Sequence, residues 1–313
     1  MPRPKSNEDW LKDKLVDLLA WAKEVEAIST GYVEEYGPHT ALKLAGLAHA
    51  VEVFSTVARR YVDDGQFSSS VFIDLFAGSG MNAIDPRHHL AGSAVIAAKA
   101  RRPFDRIVCV EADSAKASVL SKRLTAVGVR QLKVIAGDCN ERIADALKFA
   151  GGKRSLVFLC VDPEGMEASW ETIRKTSSKY TAMDVFVNMT HGAERERGAA
   201  RSLGRESPAL ENLMGMPVRQ ILLDDSGTIS ALYQSQIQNV LGRKIGGSSV
   251  IRGANKQPLY TIMLFTRNTR GDSPYLEGYT AMHKRLSTLT VDHVAGALND
   301  IDGKGLFRIG SSS

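Results

Sequence analysis

The densest chemistry in the sequence lies in VFIDLFAGSG, Val71 to Gly80, where an apolar run ends on Asp74 and enters a turn holding Phe76, Ala77, Gly78 and Gly80. Glycines without a Cβ let the backbone approach a ligand closely, and a strand-to-helix turn of this kind cradles nucleotide-like groups. A dinucleotide turn reads G-x-G-x-x-G and seats a diphosphate on the next helix. Here the third glycine position is Ala83 and an acidic residue precedes the turn. That suits a cationic ligand better than a diphosphate. S-adenosylmethionine meets the description: Asp74 is placed for its ammonium, directly or through water, and the Ala77 to Gly80 backbone for its methionine and ribose.

Further carboxylates follow at the ends of successive apolar runs. Glu111, 31 residues after Gly80, is the candidate acceptor for both ribose hydroxyls. That spacing exceeds the ~20 of a compact unit, because MNAIDPRHHLAG intervenes before the next helical stretch. In AGDCN, Asp138 is placed for the adenine amino group, with Cys139 beside the ring. Taken singly, Asp113 and Asp138 read as helix N-caps; it is the series of acids at three strand ends that points to a cofactor. CVDPEGM then brings Asp162 and Glu164 to the place beside the transferable methyl, as candidates for holding or deprotonating an acceptor. Enzymes that methylate base amines carry an Asp or Asn, two prolines and a stacking aromatic there. Glu164 stands in place of an aromatic, which weakens a flipped-base mechanism.

The elements that must position these residues follow from periodicity. Trp10 to Val25 and Leu42 to Val57 carry apolar residues at three- and four-residue spacing, predicting two helices, with Thr40 placed to cap the second. Strands are predicted at 71–76, 106–111, 132–136, 155–161 and 183–188, each followed by a turn and helix, the pattern of a parallel sheet covered on both faces. HGAERERGAARSLGRES reads as a loop with some helix, and strands at 247–251 and 259–265 form an antiparallel hairpin. The expected fold is α/β: a Rossmann-like doubly wound sheet of class I methyltransferase type, five parallel strands plus a C-terminal antiparallel hairpin, with an N-terminal helical extension. The expected division is 1–66 for that extension, 67–270 for the Rossmann-like domain and 271–313 for C-terminal helices and a frayed tail.

A chain of 313 residues with 43% apolar and 24% charged content can bury a full core, which excludes a disordered or fibrous protein. No run matches the ~18 uninterrupted apolar residues of a membrane span, and the start lacks a secretory apolar stretch, so a cytoplasmic protein is expected. Cys109, Cys139 and Cys160 have neither disulfide nor zinc spacing and read as buried thiols. The net charge of +5 permits an anionic partner.

With these motifs in hand, the chain resembles the three-Cys-motif partner proteins of bacteria and phages over roughly residues 36–272. The family's F-x-D-x-F-A-G-x-G turn is present as FIDLFAGSG, its G-S-P as Gly92, Ser93 and Ala94, and its D-P-F-G or D-P-Y-G as Asp162, Pro163, Glu164 and Gly165, followed by Trp170. Its late Y-x-L-x-F strand is similar to Tyr260 to Phe265. The resemblance implies a methyltransferase-like core and a protein partner encoded nearby, to which the three cysteines of the family name belong. Glu164 departs from the pattern.

The basic excess concentrates at Arg243, Lys244, Arg252, Lys256, Arg267 and Arg270, a stretch without acids. It reads either as a phosphate-tracking edge or as cations that block edge-to-edge pairing. Arg197, Arg201 and Arg205 share a helical face diluted by glutamates, a solvated helix. His88, His89 and His191 are candidate bases near the strand ends, and surface loop histidines otherwise. Two functions compete: an S-adenosylmethionine-dependent methyltransferase acting on nucleic acid, and a cofactor-binding recognition subunit without transfer of its own. An NAD-dependent oxidoreductase is disfavoured by Asp74, Ala83 and the terminal hairpin.

Overall fold

The computed structural model describes residues 6–267 and 274–303. In chain order the elements are α1 (Asn7–Glu26), β1 (Glu34–Glu35), α2 (His39–Asp63), β2 (Ser69–Asp74), β3 (Met81–Asp85), β4 (His88–Ala91), α3 (Ser93–Ala98), β5 (Arg106–Glu111), α4 (Ser114–Ala126), β6 (Leu132–Ala136) and α5 (Cys139–Ala150). They continue with β7 (Ser155–Val161), α6 (Trp170–Lys179), β8 (Met183–Thr190), α7 (Gly192–Leu203), α8 (Pro208–Met214), α9 (Val218–Leu223), α10 (Ile229–Leu241), β9 (Arg243–Arg252), β10 (Pro258–Arg267), α11 (Pro274–Leu286) and α12 (Val291–Ile301).

The main sheet has the order β6-β5-β2-β7-β8-β10-β9. The first five strands run parallel, and β10 enters antiparallel between β8 and the edge strand β9, Tyr260 facing Thr190 and Phe265 facing Val185. This is the class I methyltransferase type of doubly wound sheet that the sequence predicts. Both strand faces are buried because alternate side chains feed two cores. Phe72, Phe158, Cys160 and Phe186 point to one, and Val71, Ile73, Val157, Leu159 and Val187 to the other. Phe72 and Phe158 stack at 5.8 Å with no exposed surface; burying a side chain of this size is worth roughly 1.5–3 kcal/mol.

Helices α1, α2, α3, α4, α11 and α12 pack over the first face in one hydrophobic cluster, and α5, α6 and α7 to α10 over the second. Residues expected to form an N-terminal extension and a C-terminal appendage therefore share one layer. Helix α2 is long and apolar enough to cross a membrane, at mean hydropathy 1.3, but 67% of that window is buried, as in the core helix of a sheet-covering layer.

Three local expectations are corrected. Helix α2 is preceded by Pro38 at the cap, and Thr40 lies inside it. MNAIDPRHHLAG is a β3–β4 hairpin, and β1 joins it in parallel to make a second, three-stranded sheet. HGAERERGAARSLGRES forms a regular helix, α7, closed by Gly204 in the left-handed conformation, with Arg205 beyond its end. The tail from 304 and Arg270 lie outside the described residues.

Candidate functional site

A cleft of about 690 Å³ opens at the carboxyl ends of the parallel strands, within the ~300–1,000 Å³ of small-molecule sites and at the sheet end where open α/β folds hold ligands. Phe76, Ala77, Gly78, Gly80, Glu111, Asp138, Cys139, Asp162 and Glu164 all line it. Asp74 does not; it lies beneath, with no exposed surface.

The floor is the glycine turn. Its backbone is pinned by Leu75 N–H to Cys160 O at 3.1 Å and Ala77 N–H to Val110 O at 3.0 Å. Gly78 and Gly80 have φ of 58° and 87°, a region L side chains rarely adopt. A Cβ on Gly80 would also come within 2.9 Å of Leu120 Cδ1 and 3.1 Å of Val95 Cγ2. Glu111 organises one side by accepting the N–H groups of Gly78 at 2.8 Å and Asp113 at 2.9 Å. Each carboxylate oxygen keeps a further lone pair.

Opposite stands Glu34, which the sequence reading missed. It accepts from the Ser79 N–H at 2.9 Å and the Ser79 hydroxyl at 2.6 Å, with Lys116 Nζ at 3.4 Å. It reaches the turn because β1 pairs with β3, Glu34 facing Asn82; no local pattern in TGYVEEYG announces that pairing. Arg123 locks the segment from below. Its guanidinium is fully buried and donates to Tyr32 O, Ser79 O, Ser29 O and Gly31 O at 3.2, 2.8, 2.6 and 2.8 Å.

Asp74 accepts the Phe76 N–H at 3.2 Å through Oδ1, whereas its buried Oδ2 has no hydrogen-bond partner among the described residues. Burial pushes its carboxyl up to about 7, against the nearby Ser93 side chain and the Phe76 N–H, which favour the charged form. Asp113 caps α4 through Ala115 and Lys116. Asp138 caps α5, accepting Asn140 N–H at 2.7 Å, and also faces the cleft. Burial pushes the Cys139 thiol up to about 12, so it is a packing surface, not a thiolate nucleophile. The other two cysteines are buried and free as well.

At the acceptor end, Asp162 is held from both sides. Lys43 Nζ, from α2, lies 2.7 Å from Oδ2, and Asn188 Nδ2, from β8, donates to Oδ1 at 2.8 Å. Lys43 sits 5.8 and 5.9 Å from the ring centroids of Tyr36 and Tyr260, within cation–π range. The Tyr36 hydroxyl donates to Glu164 at 2.9 Å, and the Tyr260 hydroxyl to His39 O at 2.7 Å. The aromatic character missing after Pro163 thus arrives from two distant elements. Lys43 and Tyr36 were not singled out in the sequence, because neither lies near a motif.

His88, His89 and His191, the candidate bases, stand outside this arrangement. His88 is buried between Asp85 at 2.7 Å and Asp302 at 3.2 Å, and His89 meets Glu26 at 3.0 Å. His191 borders the rim, 3.2 Å from the Thr261 hydroxyl. Its burial, with Arg252 and Arg195 nearby, holds the imidazole below its ordinary value against Glu194.

The basic stretch is also revised. Arg243 is 6% exposed and donates to Ser177, Tyr180, Thr181 and Met183, so it ties β9 to the end of α6. Arg267 lies over the Tyr61 and Phe67 rings. Arg252, the last residue of β9, and Lys256, in the β9–β10 turn, remain exposed. That turn is at the cleft end of the sheet, since Leu259 and Tyr260 line the cleft. The hairpin charge therefore lies at the same end of the sheet as the acidic cleft.

Seven carboxylates line the cleft against two lysines. Such a field opposes a diphosphate and favours a cation. Glu111 keeps lone pairs that a diol could fill, and Asp74 Oδ2 is without a hydrogen-bond partner among the described residues, a donor set that fits S-adenosylmethionine.

The fold and the site place the chain among α/β proteins with the class I methyltransferase type of sheet. No protein-family model matches it, and no curated protein does. Among solved structures it is similar to a protein of Legionella pneumophila at 11% identity, covering 78% of this chain and 94% of that one with a TM-score of 0.44. It is similar to an O-methyltransferase from Bacillus cereus in complex with SAH at 8% identity, covering 81% and 100%, TM-score 0.39. An rRNA methylase from Streptococcus thermophilus matches at 12% identity, covering 68% and 95%, TM-score 0.35. At such scores these likenesses assign neither activity nor substrate.

Proposed function

We propose that the protein is an S-adenosylmethionine-dependent methyltransferase acting on nucleic acid. The observation that carries the reading is the convergence of the glycine turn, Glu111, Asp138 and the Lys43–Asp162 pair on one acidic cleft. The cofactor supplies an electrophilic methyl on a sulfonium. Glu111 accepts the ribose hydroxyls, Asp138 the adenine amine, and Asp74 balances the ammonium from below. Asp162 and Glu164 face the acceptor. Arg252 and Lys256 at the cleft rim supply the cations for a phosphate backbone. The motif resemblance to three-Cys-motif partner proteins belongs to the same proposal, with a neighbouring protein as partner. The competing reading, a recognition subunit without transfer, draws on Glu164, whose carboxylate occupies the position of an aromatic.

Calorimetry with S-adenosylmethionine, S-adenosylhomocysteine and NAD separates the classes: binding of the first two is expected, and binding of NAD alone overturns the proposal. Glu111→Ala is expected to weaken cofactor binding by about 1.5–3 kcal/mol, through loss of charge-assisted contacts. An unchanged affinity would assign the ribose to another group. Replacing Arg252 and Lys256 by alanine should flatten the salt dependence of RNA binding by about one to two counterions. Equal slopes for variant and wild type would remove the hairpin turn from the interface.

A further inference from the structure

One buried polar atom in the cleft is left over. Asn188 is 6% exposed and lines the cleft. Its amide orientation is set by Asp162, whose carboxylate only accepts, so Nδ2 must face it. Asn188 Oδ1 is then buried with no partner among the described residues, which costs about 1–3 kcal/mol unless a ligand donates to it. Beside it stands Lys43, whose ammonium has three donors, one directed at Asp162 Oδ2 at 2.7 Å. The pocket therefore offers one acceptor and one cationic donor around a single carboxylate.

A hydroxyl satisfies both at once, its O–H donating to Asn188 Oδ1 and its oxygen accepting from Lys43. An exocyclic base amine satisfies only the first, because its lone pair is delocalised into the ring and it already carries donors. A cation also stabilises an oxygen that is losing its proton, whereas it opposes methylation of a nitrogen that is gaining positive charge. At the rim, the side chains of Arg195, Arg252 and Lys256 are exposed, and Arg252 faces Pro258 two residues before the cleft-lining Tyr260. Cations for phosphate outside and a hydroxyl subsite within are matched by RNA, since DNA lacks the 2′-hydroxyl.

We infer that the acceptor is a ribose hydroxyl of RNA, held by Lys43 and Asn188 with Asp162 between them. This rests on the methyltransferase reading above. The ribose oxygen forms the new bond to the methyl carbon as the sulfur–methyl bond breaks, and S-adenosylhomocysteine leaves. The hydroxyl proton, directed at Asn188 Oδ1 before transfer, leaves to water of the open cleft as the bond forms, while Asp162 keeps Lys43 and Asn188 in place. Lys43 is the group that lowers the energy of the developing alkoxide.

The test uses the full chain with methyl-tritiated S-adenosylmethionine and three probes, total bacterial RNA, genomic DNA and a bacterial protein extract, followed by alkaline hydrolysis and nucleoside analysis. Calorimetry with S-adenosylhomocysteine is run on wild type and on each variant. The expected result is label confined to RNA in alkali-resistant 2′-O-methyl linkages. Lys43→Met should lose at least 100-fold in transfer while its cofactor affinity stays within threefold of wild type, which also reports that it folds. Asn188→Leu should behave alike with a smaller loss. Label on a base nitrogen, in DNA or in protein overturns the assignment, as does cofactor binding with no label in any probe. Undiminished transfer by Lys43→Met removes its role. Failure to bind either cofactor form overturns the methyltransferase reading itself.

Discussion

Arg123→Ala is expected to lower the stability of the protein by about 3–5 kcal/mol, read as a fall in the urea midpoint. The guanidinium has no exposed surface and serves four backbone carbonyls at once, three from the segment after α1 and one from the glycine turn. Alanine leaves those carbonyls unpaired in a volume that cannot collapse onto them, because the turn they border is pinned to two strands. Both the lost hydrogen bonds and the cavity act in the same direction. Arg123→Lys retains the charge but not the fork of donors, and should recover only part of the loss. In either variant the segment carrying Glu34 loses its anchor, so cofactor affinity should fall although Arg123 itself does not line the cleft. A variant within about 1 kcal/mol of wild type would show that the segment is held by β1–β3 pairing alone.

The contribution of Asp184 to stability should decline as pH rises from about 4 to about 7, and Asp184→Asn should remove that decline. Asp184 is fully buried at the end of β8 away from the cleft, accepting the Tyr279 hydroxyl at 2.7 Å. Burial pushes its carboxyl up to about 7, against Tyr279, Thr266, Arg243 and Arg267, which favour the charged form. Asp74 is raised to about 7 for the same reason. A raised carboxyl binds more protons folded than unfolded, so the slope of unfolding free energy with pH is negative between the two values. Below the unfolded value the native protonated acid costs nothing. Above about 7 each group destabilises by up to about 4 kcal/mol. Asparagine keeps an acceptor for Tyr279 and has no proton to lose. The difference in denaturant midpoint between pH 5 and pH 8 should therefore shift in favour of pH 8 in the variant, and an unchanged difference would mean that Asp184 ionises freely in the folded state. Near neutral pH, a cationic cofactor over Asp74 should lower that carboxyl and release a proton on binding, visible as buffer-dependent binding heat.

The strand series was legible because each strand is a short apolar run closed by a polar turn, and β2 and β7 are buried along their whole length. The acids at the strand ends were legible for a related reason, since in a parallel sheet all those ends face one way and gather around one cleft. The β3–β4 hairpin was less so. Its residues alternate weakly and pair partly with β1, a strand of only two residues whose existence depends on a partner far along the chain. Helix α7 was obscured by its charge, because its only buried residues are Ala193 and Ala200 and the apolar stripe is thin.

Lys43 shows the other limit. In sequence it is one polar residue in an apolar helix, indistinguishable from a lysine that snorkels to solvent. It becomes part of the acceptor end because α2 packs across the sheet and delivers it to Asp162. Arg243 reverses the case: counted in sequence as part of a basic patch, it is a buried clamp on α6.

From the sequence alone came the class of fold, the glycine turn, the carboxylates at the strand ends and the preference for a cationic nucleotide-like ligand. Each of these depends on residues close together in the chain, where period and turn chemistry are decisive. The tertiary structure alone decided which side chains meet Asp162, how Glu34 and Arg123 hold the turn, and where the basic residues lie relative to the cleft. Those are contacts between elements many residues apart, set by the packing of whole helices and by the antiparallel entry of β10, and no local pattern encodes them.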